Sequence, residues 1–151
     1  MFSRQETAAL TQQFWTRFGQ YMAPVPAAGG GKVNWINYKT GVKDLQFKME
    51  LDAAGAHIGI VITATDERRR AALFQQLLAC RNILEAKTQE VWDWQPDGRN
   101  AQAQIMSRIE THLAAVHVYK QADWPAIISF FKARMMALDE FWEEVQPGFE
   151  Q

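Results

Sequence analysis

Apolar and polar side chains alternate from Leu45 to Asp52, and this period of two constrains the fold more than any other feature of the chain. Leucine, phenylalanine and methionine occupy the odd positions, whereas a glutamine, a lysine and two acids occupy the even ones. Successive side chains of a strand point to opposite faces, so this strand has one apolar and one polar face. The segment 42–52 is therefore predicted to be a strand in a sheet that is covered on one side only.

Three further strands are indicated by turns and by short apolar runs. Gly55 lies in the turn DAAGA, and isoleucines at every second position from Ile58 form the return strand of a β-hairpin. Later, VWDW marks a short strand, and the turn PDGRN separates it from another strand over about 104–112. Because hairpin connections join antiparallel neighbours, the sheet is predicted to be antiparallel.

Three segments show the three- and four-residue apolar spacing of helices. The first covers residues 3–22, where Ser3 and Glu6 form an S-x-x-E capping box. The second begins near Asp66, and the third begins near Asp123 and continues for about six turns. The order α-β-β-α-β-β-α predicts an α+β two-layer sandwich, with helices on one face of an antiparallel sheet of about four strands.

The length of the chain suits one domain over residues 1–151, with an irregular loop at 23–41. No run of about 18 apolar residues predicts a membrane-spanning helix. The start of the chain, MFSRQETAAL, lacks the apolar region of a secretory signal. Cys80, the one cysteine, has no partner for an internal disulfide. These features predict a cytoplasmic protein.

The motifs of common active sites are missing from the sequence. GGGK at 29–32 is followed by Val33, whereas a phosphate-binding loop needs Ser or Thr there and a strand before it. The histidines, His57, His112 and His117, have no familiar metal-binding spacing. No G-x-S-x-G motif occurs, and Cys80 lies in an apolar helical stretch. We therefore predict no catalytic residue, no resident metal and no cofactor.

One acidic set nevertheless has the residue types of a magnesium-dependent nuclease. Its members share the polar face of the first strand: Asp44, Glu50, Asp52 and Lys48. Magnesium prefers oxygen ligands, and a lysine could assist the chemistry. The alternative is an ordinary solvated strand face with alternating charges.

The loop sequence KVNWINYKTG places two aromatic residues among lysines. Exposed Trp35 and Tyr38 would stack on nucleic-acid bases, with Lys39 and Lys43 contacting phosphates. Alternatively, Trp35 seals the end of the hydrophobic core, and the lysines solvate its rim. A connection of this length without regular structure is often functional.

Several segments resemble the bacterial domain-of-unknown-function family 4268 in its stand-alone form. They span about residues 14–149 in the order FWTRFGQYM, VNWINYKTGVKDLQFKMELD, F-x-x-L-L-x-x-R-x-x-L-E, VWDW, SRI and DWPAIISFFKARMMALDEFW. In that family the domain also occurs behind a domain that looks like a restriction-type nuclease. The resemblance therefore implies a bacterial, cytoplasmic protein in a DNA-related setting. It implies no catalytic residues.

Arg108, in the SRI segment, is predicted to lie on a strand beside Trp92 and Trp94. There it would bind an anion or pair with the acidic C-terminal helix as a structural clasp. Residues 1–43 carry a net charge of +4 and residues 123–151 a net charge of −4, so the two ends are expected to attract each other within or between subunits.

The leading hypothesis is a non-catalytic binding or accessory module that contacts nucleic acid or a nuclease-type protein. Its contact residues would be Trp35, Tyr38, Lys39, Lys43 and Arg108. The alternatives are a divergent magnesium-dependent nuclease and a homo-oligomeric interaction protein.

Overall fold

A computed structural model describes residues 2–149 of the chain and confirms the predicted α+β arrangement. The elements occur in the order α1 (Arg4–Met22), β1 (Leu45–Asp52), β2 (Gly55–Ile62), α2 (Glu67–Ala79), α3 (Arg81–Thr88), β3 (Asp93–Arg99), β4 (Ile105–Ala114) and α4 (Trp124–Val145). Short 3-10 helices at Gln121–Asp123 and Gln146–Phe149 flank α4. The predicted capping box is present at the start of α1, where Ser3 and Glu6 exchange hydrogen bonds.

The four strands form one antiparallel sheet in the order β1-β2-β4-β3. The pairs Phe47–Ile60 and Ile60–Ile109 align the apolar side chains of three strands on one face. That face is buried against the helices, as the alternation in β1 predicts. The opposite face, which we call the outer face, carries charged and imidazole side chains from β1, β2 and β4.

The predicted second helix is divided into α2 and α3 at Cys80. The backbone of Cys80 leaves helical geometry, with φ −100° and ψ 10°, and its N–H bonds to Leu77 and Leu78. The change of direction places the Arg81 guanidinium over the Trp94 ring at 5.7 Å and within 3.2 Å of Glu85. Arg81, which interrupted the apolar stripe in the sequence, therefore lies on the surface of α3 because the chain bends before it.

Aromatic side chains form most of the contact between α1 and α4. Phe131 of α4 is fully buried, stacks on Trp15, and meets Phe14 and Phe18 edge to face. Trp124, at the start of α4, meets Phe14 at 87° and has the Arg17 guanidinium 4.9 Å above its ring. The buried side chains of α4 recur at the helical spacing that predicted this element, so the prediction of a helix here is confirmed. No helix within residues 2–149 is long and apolar enough to cross a membrane.

Candidate functional site

The loop between α1 and β1 holds Trp35 inside the core. The Trp35 side chain has a relative exposure of 4%. Its indole N–H donates to the Val25 carbonyl at 3.0 Å, and its ring lies 6.4 Å from that of Tyr38. An indole needs one hydrogen-bond acceptor when it is buried, and the loop itself supplies this acceptor. Trp35 therefore stabilises the loop from inside.

Tyr38 fastens the same loop to α4. Its hydroxyl donates to Asp139 Oδ1 at 2.5 Å, and its ring stacks on Phe47 at 5.0 Å. The other carboxylate oxygen of Asp139 accepts from the Ala28 N–H at 2.6 Å. Asp139 is buried on α4, and its carboxylate receives two donors from the loop in hydrogen bonds that are partly buried. In a third contact, the Trp142 indole N–H donates to the Thr40 carbonyl at 2.8 Å. We call these three hydrogen bonds between the loop and α4 the clamp.

The exposed-aromatic hypothesis for Trp35 and Tyr38 is therefore not supported by the geometry. Trp35 is buried, and Tyr38 is partly buried with its ring stacked on Phe47, so the two rings pack against the core instead of forming an exposed stacking surface. The alternative, in which the tryptophan seals the core and the lysines lie at its rim, describes the observed loop. The physical reason is that burying a large aromatic ring removes apolar surface from water and so stabilises the fold more than leaving the ring exposed.

The lysines of this loop are exposed, in contrast to its aromatic residues. Lys32, Lys39 and Lys43 have no carboxylate partner within residues 2–149. Lys39 and Lys43 line a shallow cavity of about 390 Å³ between the loop and the first half of β1. Tyr38 and Thr40, on either side of Lys39, are hydrogen-bonded to α4, and the Lys43 carbonyl accepts from Arg69. The backbone from which the two ammonium groups extend is therefore held in place.

Arg108 lies on the outer face, away from the tryptophans. Its strand partner on β3 is Gln95, whereas Trp94 pairs with Ile109 and points to the helix-covered face. The Arg108 guanidinium lies 3.3 Å from Glu50 and 3.6 Å from Glu110. The predicted tryptophan neighbours and the predicted clasp to the C-terminal helix are therefore both wrong. Glu110 lies two positions along β4 on the same face, and Glu50 reaches Arg108 from β1 across the outer face of β2, whereas the helices cover the opposite face.

The acidic set of the nuclease alternative does not converge. Asp44 precedes β1 and pairs with Arg69 at 3.1 Å, while Asp52 at the other end of β1 bonds to His57 at 2.9 Å. Glu50 pairs with Arg108, and Lys48 lies 3.9 Å from Glu50. In the part of the chain that the structure describes, no three His, Cys, Asp or Glu side chains are arranged to hold a metal ion. Each carboxylate instead has a different basic side chain as its partner.

Asp139 is a site residue that the sequence reasoning missed. It lies on the buried face of α4, between Met135 and Trp142, whose spacing marks the apolar stripe. A carboxylate on a buried helix face needs hydrogen-bond donors, because burying it unpaired is costly. An acidic residue within the apolar stripe therefore indicates, from the sequence alone, a buried carboxylate with hydrogen-bond donors. The donors, Ala28 and Tyr38, lie too far away in sequence to be inferred from it.

The basic and acidic ends of the chain are in contact, but through hydrogen bonds from neutral donors and not through ion pairs. Within residues 2–149, no lysine or arginine of residues 2–43 forms an ion pair with an acid of residues 123–149. The Ala28 N–H and the Tyr38 hydroxyl meet Asp139 instead. The contact between the ends thus exists within one chain, but neutral donors make it.

Burial and the neighbouring Asp139 carboxylate raise the pKa of the Tyr38 hydroxyl well above its usual range. The unfolded chain loses this proton near pH 10, whereas the folded chain retains it. We therefore expect the free energy of unfolding to fall as the pH rises above about 10. Absorbance titration of the three tyrosines should show one late transition, in which a single tyrosine ionises at a higher pH than the other two. The late transition should disappear in Tyr38→Phe and move to lower pH in Asp139→Asn. A late transition unchanged in Tyr38→Phe would refute the assignment.

A family model described as a domain of unknown function (DUF4268) matches residues 10–146. Neither a curated protein nor a solved structure matches the chain. The match includes the whole loop, its clamp on α4 and the outer face of the sheet. It also confirms the resemblance that the sequence motifs indicated. The chain therefore belongs to the DUF4268 family.

Proposed function

We propose that the chain is a non-catalytic binding module that contacts nucleic-acid phosphates through the lysines of its clamped loop. The observation that carries this proposal is the exposure of Lys39 and Lys43, without carboxylate partners in the described chain, beside a shallow cavity. The setting that we propose is a bacterial cytoplasm. There the module would act on DNA, alone or beside a nuclease-type protein.

A fixed loop favours binding because less conformational freedom is lost when a ligand arrives. The Trp35 indole and the Tyr38 hydroxyl form hydrogen bonds that fix the conformation of the loop from which the lysines extend. The aromatic residues therefore contribute by positioning rather than by stacking on bases. Binding through lysine and phosphate alone carries little sequence information, so we expect similar affinities for unrelated sequences.

Arg108 contributes little to this surface. Two carboxylates, those of Glu50 and Glu110, neutralise it on the outer face. An anion at this position would have to compete with both of them. The proposed contact surface therefore consists of Lys39 and Lys43.

The test is fluorescence anisotropy of labelled single- and double-stranded DNA titrated with protein at several salt concentrations. Lys39→Ala with Lys43→Ala should weaken binding and lower the slope of log K against log salt by about 1 for each lysine. Lys120→Ala with Lys132→Ala removes the same charge elsewhere and should leave the slope unchanged. Equal slopes for both double variants would place the surface elsewhere. No binding by the unaltered protein at low salt would refute the proposal.

The same samples distinguish binding from catalysis. The geometry favours binding, since Asp44, Glu50 and Asp52 each contact a different basic side chain and do not converge on one point. The DNA should therefore remain intact when magnesium is added. Cleavage that stops with a chelator, and that is lost in Glu50→Gln, would instead support the nuclease alternative.

A further inference from the structure

The two edges of the four-stranded sheet differ in how they are protected. At the β3 edge, Pro96 lacks a backbone N–H, and the pairing with β4 is irregular between Gln95 and Gly98. Prolines and bulges of this kind prevent another strand from adding to an edge. The β1 edge has neither feature. It is therefore the edge at which the sheet can be extended.

The backbone groups on the free side of β1 follow from its pairing with β2. The Thr63 N–H donates to the Asp44 carbonyl at 2.8 Å, so these opposed residues form a hydrogen-bonded pair. Such pairs alternate along an antiparallel ladder, and the residues between them direct their N–H and C=O groups away from the partner strand. Those residues are Phe47, Met49 and Leu51. No hydrogen bond to their outward groups occurs within residues 2–149.

The free part of this edge has defined ends. At Leu45 the carbonyl accepts from the Thr40 hydroxyl at 2.7 Å, and the N–H donates to Val42 at 3.3 Å. After Asp52 the chain turns back into β2, and the Asp52 side chain accepts from the Ala54 N–H. The open edge therefore extends from Gln46 to Asp52, and its midpoint is Met49.

The charges along this open edge match a second copy of the same edge. Lys48 and Glu50 both point to the outer face, with side-chain exposures of 50% and 37%. In an antiparallel pair centred on Met49, each Lys48 faces the Glu50 of the other copy, and this happens twice because of the two-fold axis. Pairs centred on residue 48 or 50 would place like charges opposite each other. Directly opposed like charges destabilise a sheet, whereas opposite charges stabilise it.

We propose that two copies of the chain associate through their β1 edges, in antiparallel orientation about a two-fold axis at Met49. The product is a continuous sheet of eight strands. Phe47 of each copy pairs with Leu51 of the other, and the half-buried Met49 and Leu51 side chains gain cover on the helix side. The single lysine does not protect this edge, because the matching acid two residues later neutralises it in this register.

The argument for this association does not rest on the proposed binding to nucleic acid, and the two are measured by different readouts. Sedimentation of the full chain without DNA should show a dimer that forms with rising concentration. Lys48→Glu places two pairs of acids opposite each other and should raise the dissociation constant by about tenfold or more. Lys120→Glu makes the same charge change away from the sheet and should leave it unchanged.

A mixing experiment identifies the register. Glu50→Lys should also weaken self-association, because it places Lys48 opposite a new lysine. An equimolar mixture of Lys48→Glu and Glu50→Lys should dimerise like the unaltered protein, since both opposed pairs are then Glu with Lys. Thermal unfolding of each variant checks that Glu50→Lys remains folded beside Arg108. If it does not, the single variant Glu50→Gln replaces Glu50→Lys in the mixture with Lys48→Glu. Partial recovery is then expected, because one opposed pair is Glu with Lys and the other is Glu with Gln.

Cross-linking provides an independent check of the centre. In a Cys80→Ser background, Met49→Cys should form a disulfide with its own copy, because directly opposed hydrogen-bonded residues have Cα atoms about 5.5 Å apart. Gln46→Cys, at the end of the edge, should not. A monomer at every concentration would overturn the proposal. So would a dimer that Lys48→Glu does not weaken, or one that cross-links at position 46 and not at 49.

Discussion

Replacing Asp139 with alanine should lower the free energy of unfolding by about 3 kcal/mol, because two donors of the loop lose the one carboxylate that accepts from both of them. The Tyr38 hydroxyl at 2.5 Å and the Ala28 N–H at 2.6 Å both depend on this carboxylate. A hydrogen bond to a charged group contributes about 1.5–3 kcal/mol, and Asp139 accepts two, both of which are partly buried. The loop should also loosen, since these bonds hold it to α4.

Urea unfolding monitored by circular dichroism measures this loss. Asp139→Asn retains one acceptor oxygen and should lose less than Asp139→Ala. Tyr38→Phe removes a single donor, and a double-mutant cycle with Asp139→Ala should show a coupling of about 1 kcal/mol or more. As a matched control, Glu140→Ala alters the neighbouring exposed acid and should change stability by less than about 0.5 kcal/mol. Equal effects at positions 139 and 140 would contradict the assigned clamp.

Replacing Trp124 with alanine should cost about 4 kcal/mol, the range found for large aromatic residues in cores. The Trp124 side chain is almost fully buried, and its indole N–H donates to the Val118 carbonyl at 2.6 Å. Its ring also meets Phe14 and lies beneath the Arg17 guanidinium. The substitution thus leaves a cavity where α4 begins and an unpaired carbonyl in the preceding segment.

The same unfolding measurement applies, with two comparison variants. Trp124→Phe keeps most of the ring contact but loses the bond to Val118, so we expect roughly half of the loss. Val91→Ala truncates a side chain that is 73% exposed and should have little effect. A loss below about 1.5 kcal/mol in Trp124→Ala would mean that this ring contributes less than its burial indicates.

The sequence predicted the fold well because its strongest patterns are local. Alternation in β1 and the apolar stripe of α4 each depend on neighbouring positions, and both elements occur where those patterns lie. The division at Cys80 was not predicted. A stripe interrupted only by Arg81 reads as one helix, and the packing of Arg81 on Trp94 is a tertiary contact.

The candidate site was harder to predict because its contacts join distant parts of the chain. Whether Trp35 and Tyr38 face inward depends on acceptors at Val25 and Asp139, which no local pattern reveals. The partners of Arg108 depended on the order of the strands. Sequence alone indicated a carboxylate partner. Glu110 lies two positions along the same strand, but only the strand order and register bring Glu50 to Arg108.

The clamp on α4 also has a consequence for the order of events during synthesis. Tyr38 and Asp139 are separated by 101 residues, and Thr40 and Trp142 by 102. While the ribosome makes the chain from its N-terminus, the loop lacks both anchors until α4 has emerged. We expect a protease to cut arrested nascent chains within the loop until residue 142 is free, and to spare it afterwards. Early protection would show that the loop is ordered without α4. If the events occur in the expected order, the lysines of the loop take up their fixed positions only after α4 has been made.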